Sequence, residues 1–309
     1  MSKSLGNTVS PEIMVDEYGA DTVRLFILYG ANPEAGMDWS DNAIISNHKQ
    51  MQSIIDAFES SRSFIDAPSE IDSWLLSKMR LNHLKWKSAM ENISLREGVM
   101  ISHFEMLSDW QWYRRRGGSD KKSTEVFFRH WIPMLAPATP HIAEEFWSKV
   151  GNQDMVSEYI ISDISELEDD IIHIAKEQYL RDLIDSSRNV KGLASRHSEV
   201  AISKCIIQTS PKWKNDIAIE ALSLSVKNFD FKENGMNHVK SLEVFGVEKL
   251  RGEVIQTWQS FTTGNKKTRG KIHTWSEAEK SLINLRFNES DFINKNADFI
   301  AYSLSIDNV

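Results

Sequence analysis

The chain has 309 residues, of which 41% are hydrophobic and 26% charged, and these values predict an ordinary globular fold of two or three domains. No apolar run reaches about 18 residues, so we expect no membrane-spanning helix. The net charge of −8 argues against general binding of nucleic acid, DNA included. Because there is one cysteine, Cys205, and no signal peptide, we expect a cytoplasmic protein without an internal disulfide or a metal site.

The first segment, residues 1–45, predicts a loop followed by short apolar elements. Residues 1–10 are polar and show no helical period. Ser10 suits the position before a helix and Pro11 suits the first helical position, so a short helix is expected there. A second apolar stretch runs from Asp21 to Leu28, and a turn follows at residues 32–36.

The second segment, residues 46–160, predicts an antiparallel helical bundle, so the fold class is mainly α. Apolar residues beginning at Ile44 recur at steps of three, four and seven, which places them on single helix faces. The predicted stripes are Ile44, Met51, Ile55 and Phe58; Leu75, Met79, Trp86, Met90 and Ile93; and Met100, Phe104 and Leu107. Gly117-Gly118 is expected to end the third helix, and Pro140 to begin a later one.

The third segment, residues 161–309, predicts a small α+β module. A helix is expected from Ile171 to Leu193 and another from Pro211 toward Val226. Residues 203–209 and 299–306 are expected to form strands, and residues 242–245 a short strand or a turn.

The opening loop has the residues needed to contact a mobile phosphate. Lys3 is a flexible point charge, flanked by Ser2 and Ser4, whose hydroxyls can donate to phosphate oxygens, and Gly6 lets the loop move. Such a lysine could neutralise charge that develops on a leaving pyrophosphate. A solvated lysine in a frayed terminus is the alternative interpretation.

Residues Met1, Ser2, Lys3 and Ser4 resemble the last four positions of Lys-Met-Ser-Lys-Ser, the second signature of class I aminoacyl-tRNA synthetases. The resemblance implies that these four residues bind ATP, supplied with Mg²⁺, and that Lys3 is catalytic. The first signature of the family, His-x-Gly-His, is not found in the chain. We therefore expect the catalytic and editing domains to precede this chain, and the chain alone to bind no cofactor and to be inactive.

Further stretches are similar to leucyl-tRNA synthetases of the archaeal and eukaryotic type. Residues 134–147, MLAPATPHIAEEFW, resemble the APFxPHxAEELW element of the anticodon-binding domain in the Leu, Ile, Val and Met group. The tracts that resemble the leucyl enzymes are residues 38–40 (DWS), 107–115 (LSDWQWYRR) and 206–214 (IIQTSPKWK). Activation of leucine with ATP and its transfer to tRNA(Leu) is the activity that the resemblance implies for the whole enzyme. An isoleucyl or valyl relative and a stand-alone, non-catalytic tRNA-binding protein remain the alternatives.

Two basic clusters are the candidate tRNA-binding residues. The candidates are Arg114, Arg115, Arg116, Lys121 and Lys122 in the first cluster and Lys266, Lys267, Arg269 and Lys271 in the second. The alternatives are arginines that complement a helix end and a solvated basic loop. Trp110, Trp112, Trp131 and Trp147 are expected in the core, and His141 is expected to cap or pack against a helix instead of acting as a base.

Overall fold

The computed structural model describes residues 9–32, 35–36, 39–61, 64, 66–161, 164, 170–196, 202–227, 229–263, 270–275 and 277–306. The chain divides into two compact units, Met1–Asp170 and Ile171–Val309. None of the described helices is long and apolar enough to cross a membrane. The division into segments 1–45, 46–160 and 161–309 stays a prediction.

The regular secondary structure of the first unit, among its described residues, is helical. Its α-helices are α1 (Pro11–Tyr18), α2 (Ala20–Gly30), α3 (Asp41–Ser61), α4 (Glu70–Glu91), α5 (Leu95–Val99), α6 (Met106–Arg115), α7 (Lys121–Leu135) and α8 (Pro140–Lys149), with a π-helical segment at Met100–Glu105 and a 3₁₀ turn at Val156–Glu158. Pro11 and Pro140 each stand at a helix start, as predicted. The predicted helical bundle is confirmed.

An aromatic core holds the bundle together. The largest fully buried side chains include Trp74, Trp110, Trp131, Tyr113 and Phe127. The rings of Trp110 and Phe127 stack with centroids 5.5 Å apart, and Phe127 meets Trp131 edge-on at 5.4 Å. Packed aromatic pairs of this kind stabilise a core by about 0.5–1.5 kcal/mol each beyond the burial of their area.

The predicted stripes are correct in part. Ile44, Met51 and Phe58 are buried, but Ile55 is half-buried and its neighbour Ile54 is fully buried. Ile93 is 73% exposed because it lies in the turn after α4, where its φ of 57° is left-handed. A stripe continued past a helix end therefore includes a residue that no longer faces the core.

Gly117-Gly118 ends α6, as the sequence predicts. The Gly118 N–H donates to the Tyr113 carbonyl (2.9 Å) and the Gly117 N–H to the Arg114 carbonyl (3.1 Å), which is the Schellman arrangement. Gly117 supplies the required left-handed φ of 87°. A Cβ on Gly118 would lie 2.1 Å from Cε2 of Tyr113, so no side chain fits at that position.

The π-helical segment Met100–Glu105 frees carbonyls that side chains then satisfy. Nε1 of Trp131 donates to the Ser102 carbonyl (2.6 Å), and Nε2 of Gln50 donates to the His103 carbonyl. Such a segment disturbs the regular ladder of a helix and is stable only when neighbouring groups supply partners. It therefore ties α3 and α7 to the centre of the bundle.

The regular secondary structure of the second unit, among its described residues, is also helical. They are α9 (Ile171–Ser195), α10 (Lys212–Val226), α11 (Gly235–Ser241), α12 (Arg251–Thr262), α13 (Glu277–Asn284), α14 (Glu289–Lys295) and α15 (Ala297–Leu304), with 3₁₀ turns at Glu243–Gly246, Glu248–Leu250 and Lys271–His273. Its core is an apolar cluster formed by Ile217, Ala221, Leu222, Val239, Val254, Trp258 and Ile272.

The predicted strands of the third segment are wrong in the described part of the chain. Residues 299–306 fall largely in α15, whose buried residues Ile300, Ala301 and Leu304 have helical spacing. At residues 242–245, where a short strand and a turn were the alternatives, the turn is correct, because these residues overlap a 3₁₀ turn. Residues 203–209 are irregular apart from one isolated bridge at Lys204 and form no ladder. The expected α+β module is thus a helical unit as far as it is described.

Candidate nucleic-acid interface

Several predicted site residues lie outside the described residues. They are Met1, Ser2, Lys3 and Ser4 of the opening loop and Lys266, Lys267 and Arg269 of the second basic cluster. The described candidates are Arg114, Arg115, Arg116, Lys121 and Lys122 in the first unit and Lys271 in the second.

The helices that follow the opening loop are attached to α8 by Asp21. One carboxylate oxygen of Asp21 accepts from the Ile142 N–H (2.8 Å), and the other lies 2.8 Å from Nδ1 of His141. The Asp21 side chain is 12% exposed, whereas that of His141 is 73% exposed. Asp21 therefore caps the start of α8 from another helix, where a negative charge is favoured.

Arg24, one turn further along α2, holds the turn before α8. Its Nε donates to the Ala138 carbonyl (2.9 Å) and its Nη2 to the Pro137 carbonyl (3.0 Å). Asp21 and Arg24 thus bring together two stretches that the sequence singles out separately, GADTVRLFIL at residues 19–28 and APATPH at residues 136–141.

A buried histidine supports the same turn from the inside. Nε2 of His103 lies 2.9 Å from Oγ1 of Thr139, the residue before α8, and Nδ1 lies 2.8 Å from Oγ of Ser102. His103 and Thr139 are both 0% exposed. Burial lowers the pKa of His103 to about 3, so the ring is neutral at pH 7.

Replacing Asp21 with alanine should lower the free energy of unfolding by about 1–2 kcal/mol, because the start of α8 loses its cap. Urea unfolding measures the change. Asp16→Ala, at an exposed position of α1, is the matched control and should change stability by less than about 0.5 kcal/mol. Equal stability of the two variants would contradict the proposed cap.

His141 does not itself cap α8; its ring contacts the carboxylate of Asp21, which is the cap. The adjacent acids have other partners. The Glu144 carboxylate accepts from the backbone N–H groups of Val156 (2.8 Å) and Ser157 (3.2 Å), and Glu145 pairs with Lys149 at 2.9 Å. These contacts assign structural roles to both acids.

The arginine cluster at the end of α6 is partly committed to its own loop. Nη1 of Arg114 donates to the Gly118 carbonyl, and its guanidinium lies 4.1 Å from the centre of the Phe64 ring. The guanidinium of Arg115 lies 5.1 Å from the Trp112 ring, and Arg116 also makes an electrostatic or hydrogen-bonding contact. These contacts give Arg114 a structural role.

The four tryptophans named above are confirmed as core residues, since each is at most 3% exposed. Tyr113, in the same tract, donates to Asp72 (2.6 Å) and accepts from the Asp120 N–H (3.0 Å). Burial, and then the hydrogen bond to Asp72, raises the pKa of Tyr113, which keeps its hydroxyl neutral. No ring of this set is available for stacking on a base.

Lys121 and Lys122 are exposed at the start of α7. Among the described residues, Lys121 pairs with Glu125 alone, at the long distance of 3.9 Å, and such a pair contributes little. Arg129, two turns further along α7, is exposed and has no hydrogen-bond or ion-pair partner among the described residues. Sequence reasoning missed Arg129 because it stands alone in an apolar stretch; its step of eight from Lys121 was the available signal.

In the second unit, Lys271 begins the 3₁₀ turn Lys271–His273, and its Nζ lies 5.8 Å from the centre of the Phe261 ring. A Cβ on Gly270 would lie 2.0 Å from the Thr262 carbonyl oxygen. The close approach of these backbones requires glycine at position 270 and places Gly270 against the end of α12.

Two protein-family comparisons match the chain. Residues 72–206 match the anticodon-binding domain of tRNA ligases, and residues 1–40 match the class I tRNA synthetases for I, L, M and V. The Asp21 and Arg24 contacts therefore join the two matched regions.

Archaeal leucine–tRNA ligases are similar to the chain over most of its length. The one from Archaeoglobus fulgidus is 28% identical over 295 residues, which are 94% of this chain and 29% of that protein. The one from Methanosarcina acetivorans is 31% identical over 235 residues, 74% of this chain and 24% of that protein. The chain thus spans 24–29% of the length of these relatives.

Among solved structures, a crystal structure of the ternary complex of Agrobacterium radiobacter K84 agnB2 LeuRS-tRNA-LeuAMS matches with a TM-score of 0.46 at 24% identity. The match covers 54% of this chain and 23% of that chain.

Proposed function

We propose that this chain, which belongs to the class I tRNA synthetases with an anticodon-binding domain, is the carboxyl-terminal, tRNA-binding part of a leucine–tRNA ligase. The whole enzyme would activate leucine with ATP and transfer it to tRNA(Leu) in the cytoplasm. The catalytic and editing domains would lie in the remaining part of that enzyme, and the chain alone would be catalytically incomplete.

One structural observation carries the proposal. The two regions that match synthetase families meet at α8. Asp21 caps the start of this helix, and Arg24 donates to the carbonyls of Pro137 and Ala138 before it. A joint of this kind would hold the end of the opening loop at a fixed place on the bundle, so that bound tRNA and activated leucine could be brought into register.

The opening loop would supply the chemistry. When ATP and Mg²⁺ are bound by the whole enzyme, Met1, Ser2, Lys3 and Ser4 would contact the nucleotide. Lys3 would neutralise negative charge as pyrophosphate leaves during the activation of leucine. The basic loop around Lys266, Lys267, Arg269 and Lys271 would contact the tRNA backbone.

We expect the purified chain to bind leucine tRNAs, and to lose at least about tenfold in affinity between 50 and 200 mM salt. Two or more phosphate contacts release enough counterions to give this dependence. Fluorescence anisotropy of a labelled leucine tRNA transcript measures both affinities. An affinity that stays constant across this range would contradict phosphate contacts.

A further inference from the structure

A groove of about 510 Å³ lies along one side of α9 in the second unit. Its volume falls within the range of about 300–1,000 Å³ that is typical of ligand sites. Three parts of the unit line it, which are α9, the irregular segment 202–207 and the chain at the end of α15. The lining residues most important for a ligand are Leu183, Val190, Lys191, Lys204, Ile206 and Ile306.

The α9 wall of the groove is one continuous face of the helix. Its lining residues include four at steps of three or four, which are Leu183, Ser187, Val190 and Ala194. The face is about 16 Å long, because each position from Leu183 to Ala194 adds 1.5 Å along the helix axis. A long and mostly apolar face of this kind suits a chain-like ligand.

The apolar side chains of the groove are open to solvent. Val190 is 66% exposed and Ile206 is 82% exposed, while Leu183, Ile202 and Ile306 are half-buried. Covering such side chains removes apolar surface from water, which is favourable in proportion to the area covered. The core cluster of the unit is formed by other residues, so a ligand can cover the groove without opening that core.

The charged residues in the described lining of the groove are both cations, Lys191 and Lys204, without an acid among them. Nζ of Lys191 donates to the carbonyls of Leu304 (2.5 Å) and Ser305 (3.1 Å), which use two of its three N–H groups. Lys204 is exposed, and none of the ion pairs in the described part of the chain includes it. The groove therefore favours an anion, and the charge most available to it is that of Lys204.

We propose that this groove binds a fatty acid, with the alkyl chain along α9 and the carboxylate at Lys204. An apolar cavity of about 150 Å³ holds one benzene ring, so a groove of 510 Å³ accommodates a chain of about ten or more carbons. An alkyl chain brings no polar group into the groove, whereas an extended peptide brings an N–H and a C=O with each residue. The groove is formed by the second unit alone, so its ligand is independent of the proposed function.

The test is calorimetric titration of the purified chain with monomeric octanoate, decanoate and dodecanoate. We expect one equivalent of each acid to bind, with an affinity that rises by up to about fourfold for each added methylene, because each methylene that leaves water adds to the free energy of binding. Dodecyltrimethylammonium has the same tail length with a cationic head and should bind several-fold more weakly than dodecanoate.

Two variants locate the site, and each has a matched control. Val190→Asp places a carboxylate in the groove and should weaken dodecanoate binding by at least about tenfold, whereas Val226→Asp, at an 85% exposed position outside the groove, should match the wild type. Lys204→Gln should weaken binding by up to about fivefold, which is the effect of one exposed ion pair. Lys295→Gln, at an exposed position of α14, should leave the affinity unchanged.

Three results would overturn the proposal. Equal affinities of Val190→Asp and Val226→Asp would place the fatty acid outside the groove. An affinity that does not change with chain length would show that the tail is not bound. Binding to vesicles of anionic phospholipid without binding to monomeric dodecanoate would identify a membrane surface as the ligand. Circular dichroism should be the same for all four variants, and Lys204→Gln keeps the test independent of any effect of Val190→Asp on α9.

Discussion

Replacing Gly118 with alanine should lower the free energy of unfolding by about 3 kcal/mol, near the upper end of ordinary overpacking effects. The new Cβ would lie 2.1–2.4 Å from three atoms of the Tyr113 ring. That ring cannot move aside, because it is 0% exposed and its hydroxyl is hydrogen-bonded to the Asp72 carboxylate and to the Asp120 N–H. The variant must therefore either displace the core of the bundle or open the end of α6.

Two other glycines separate the steric effect from backbone strain. Gly117→Ala meets no atom within 4 Å but must adopt a φ of 87°, so we expect a loss of about 1 kcal/mol. In Gly36→Ala the new Cβ meets no described atom within 4 Å and the residue has no positive φ, so stability should change by less than about 0.5 kcal/mol. Urea unfolding followed by tryptophan fluorescence compares the three variants. A Gly118→Ala protein as stable as Gly36→Ala would refute the packing described for Tyr113.

Lowering the pH from 7 to 5 should decrease the free energy of unfolding of the wild-type chain more than that of the His103→Gln variant. The difference should be about 2 kcal/mol. The pKa of His103 is about 3 in the folded chain, against an ordinary value of 6.5. Between these values only the unfolded chain takes up the proton. The stability that comes from the neutral His103 ring is fully present above about pH 6.5 and is lost as the pH falls toward 3.

The wild type and the variant share all other titrating groups. The difference between the two proteins in how the unfolding free energy changes with pH therefore reports His103. His273→Gln, at an exposed position of the second unit, serves as the control and should show the wild-type pH dependence. An NMR titration gives the site directly, because the His103 ring should remain neutral at pH 5. A His103 signal that titrates near pH 6.5 would show that the ring is open to solvent.

Features that depend on neighbouring residues in the sequence could be predicted. Proline at the first position of α1 and α8, and the glycine pair after α6, act through local backbone preferences that hold in any fold. The helical period likewise identified the bundle, because each of its long helices must bury one face.

The strand predicted at residues 299–306 is wrong because a short apolar run fits both a strand and a helix. The run at residues 299–306 alternates loosely, yet Ile300, Ala301 and Leu304 are buried on one face of α15. At residues 242–245, four residues are too few to show a period, so a strand and a turn stayed open, and the structure has the turn.

The candidate interface shows the same limit. A run of arginines reveals charge but not direction, and the inward turn of Arg114 depends on Phe64 and on the Gly118 carbonyl. Whether Arg129 has a hydrogen-bond or ion-pair partner depends on what packs around α7, and none is found among the described residues. The joint between α2 and α8 spans 121 positions from Asp21 to Ile142, so no local pattern could indicate it.

The most direct test of the central claim is to sequence the tRNAs that the purified chain retains from an unfractionated pool at 50 mM salt. A tRNA-binding part of a leucine–tRNA ligase should enrich leucine isoacceptors and release them by 200 mM salt. Enrichment of isoleucine or valine tRNAs, or retention in proportion to the pool, would contradict the assignment to leucine. Retention of no tRNA at 50 mM salt would contradict tRNA binding altogether.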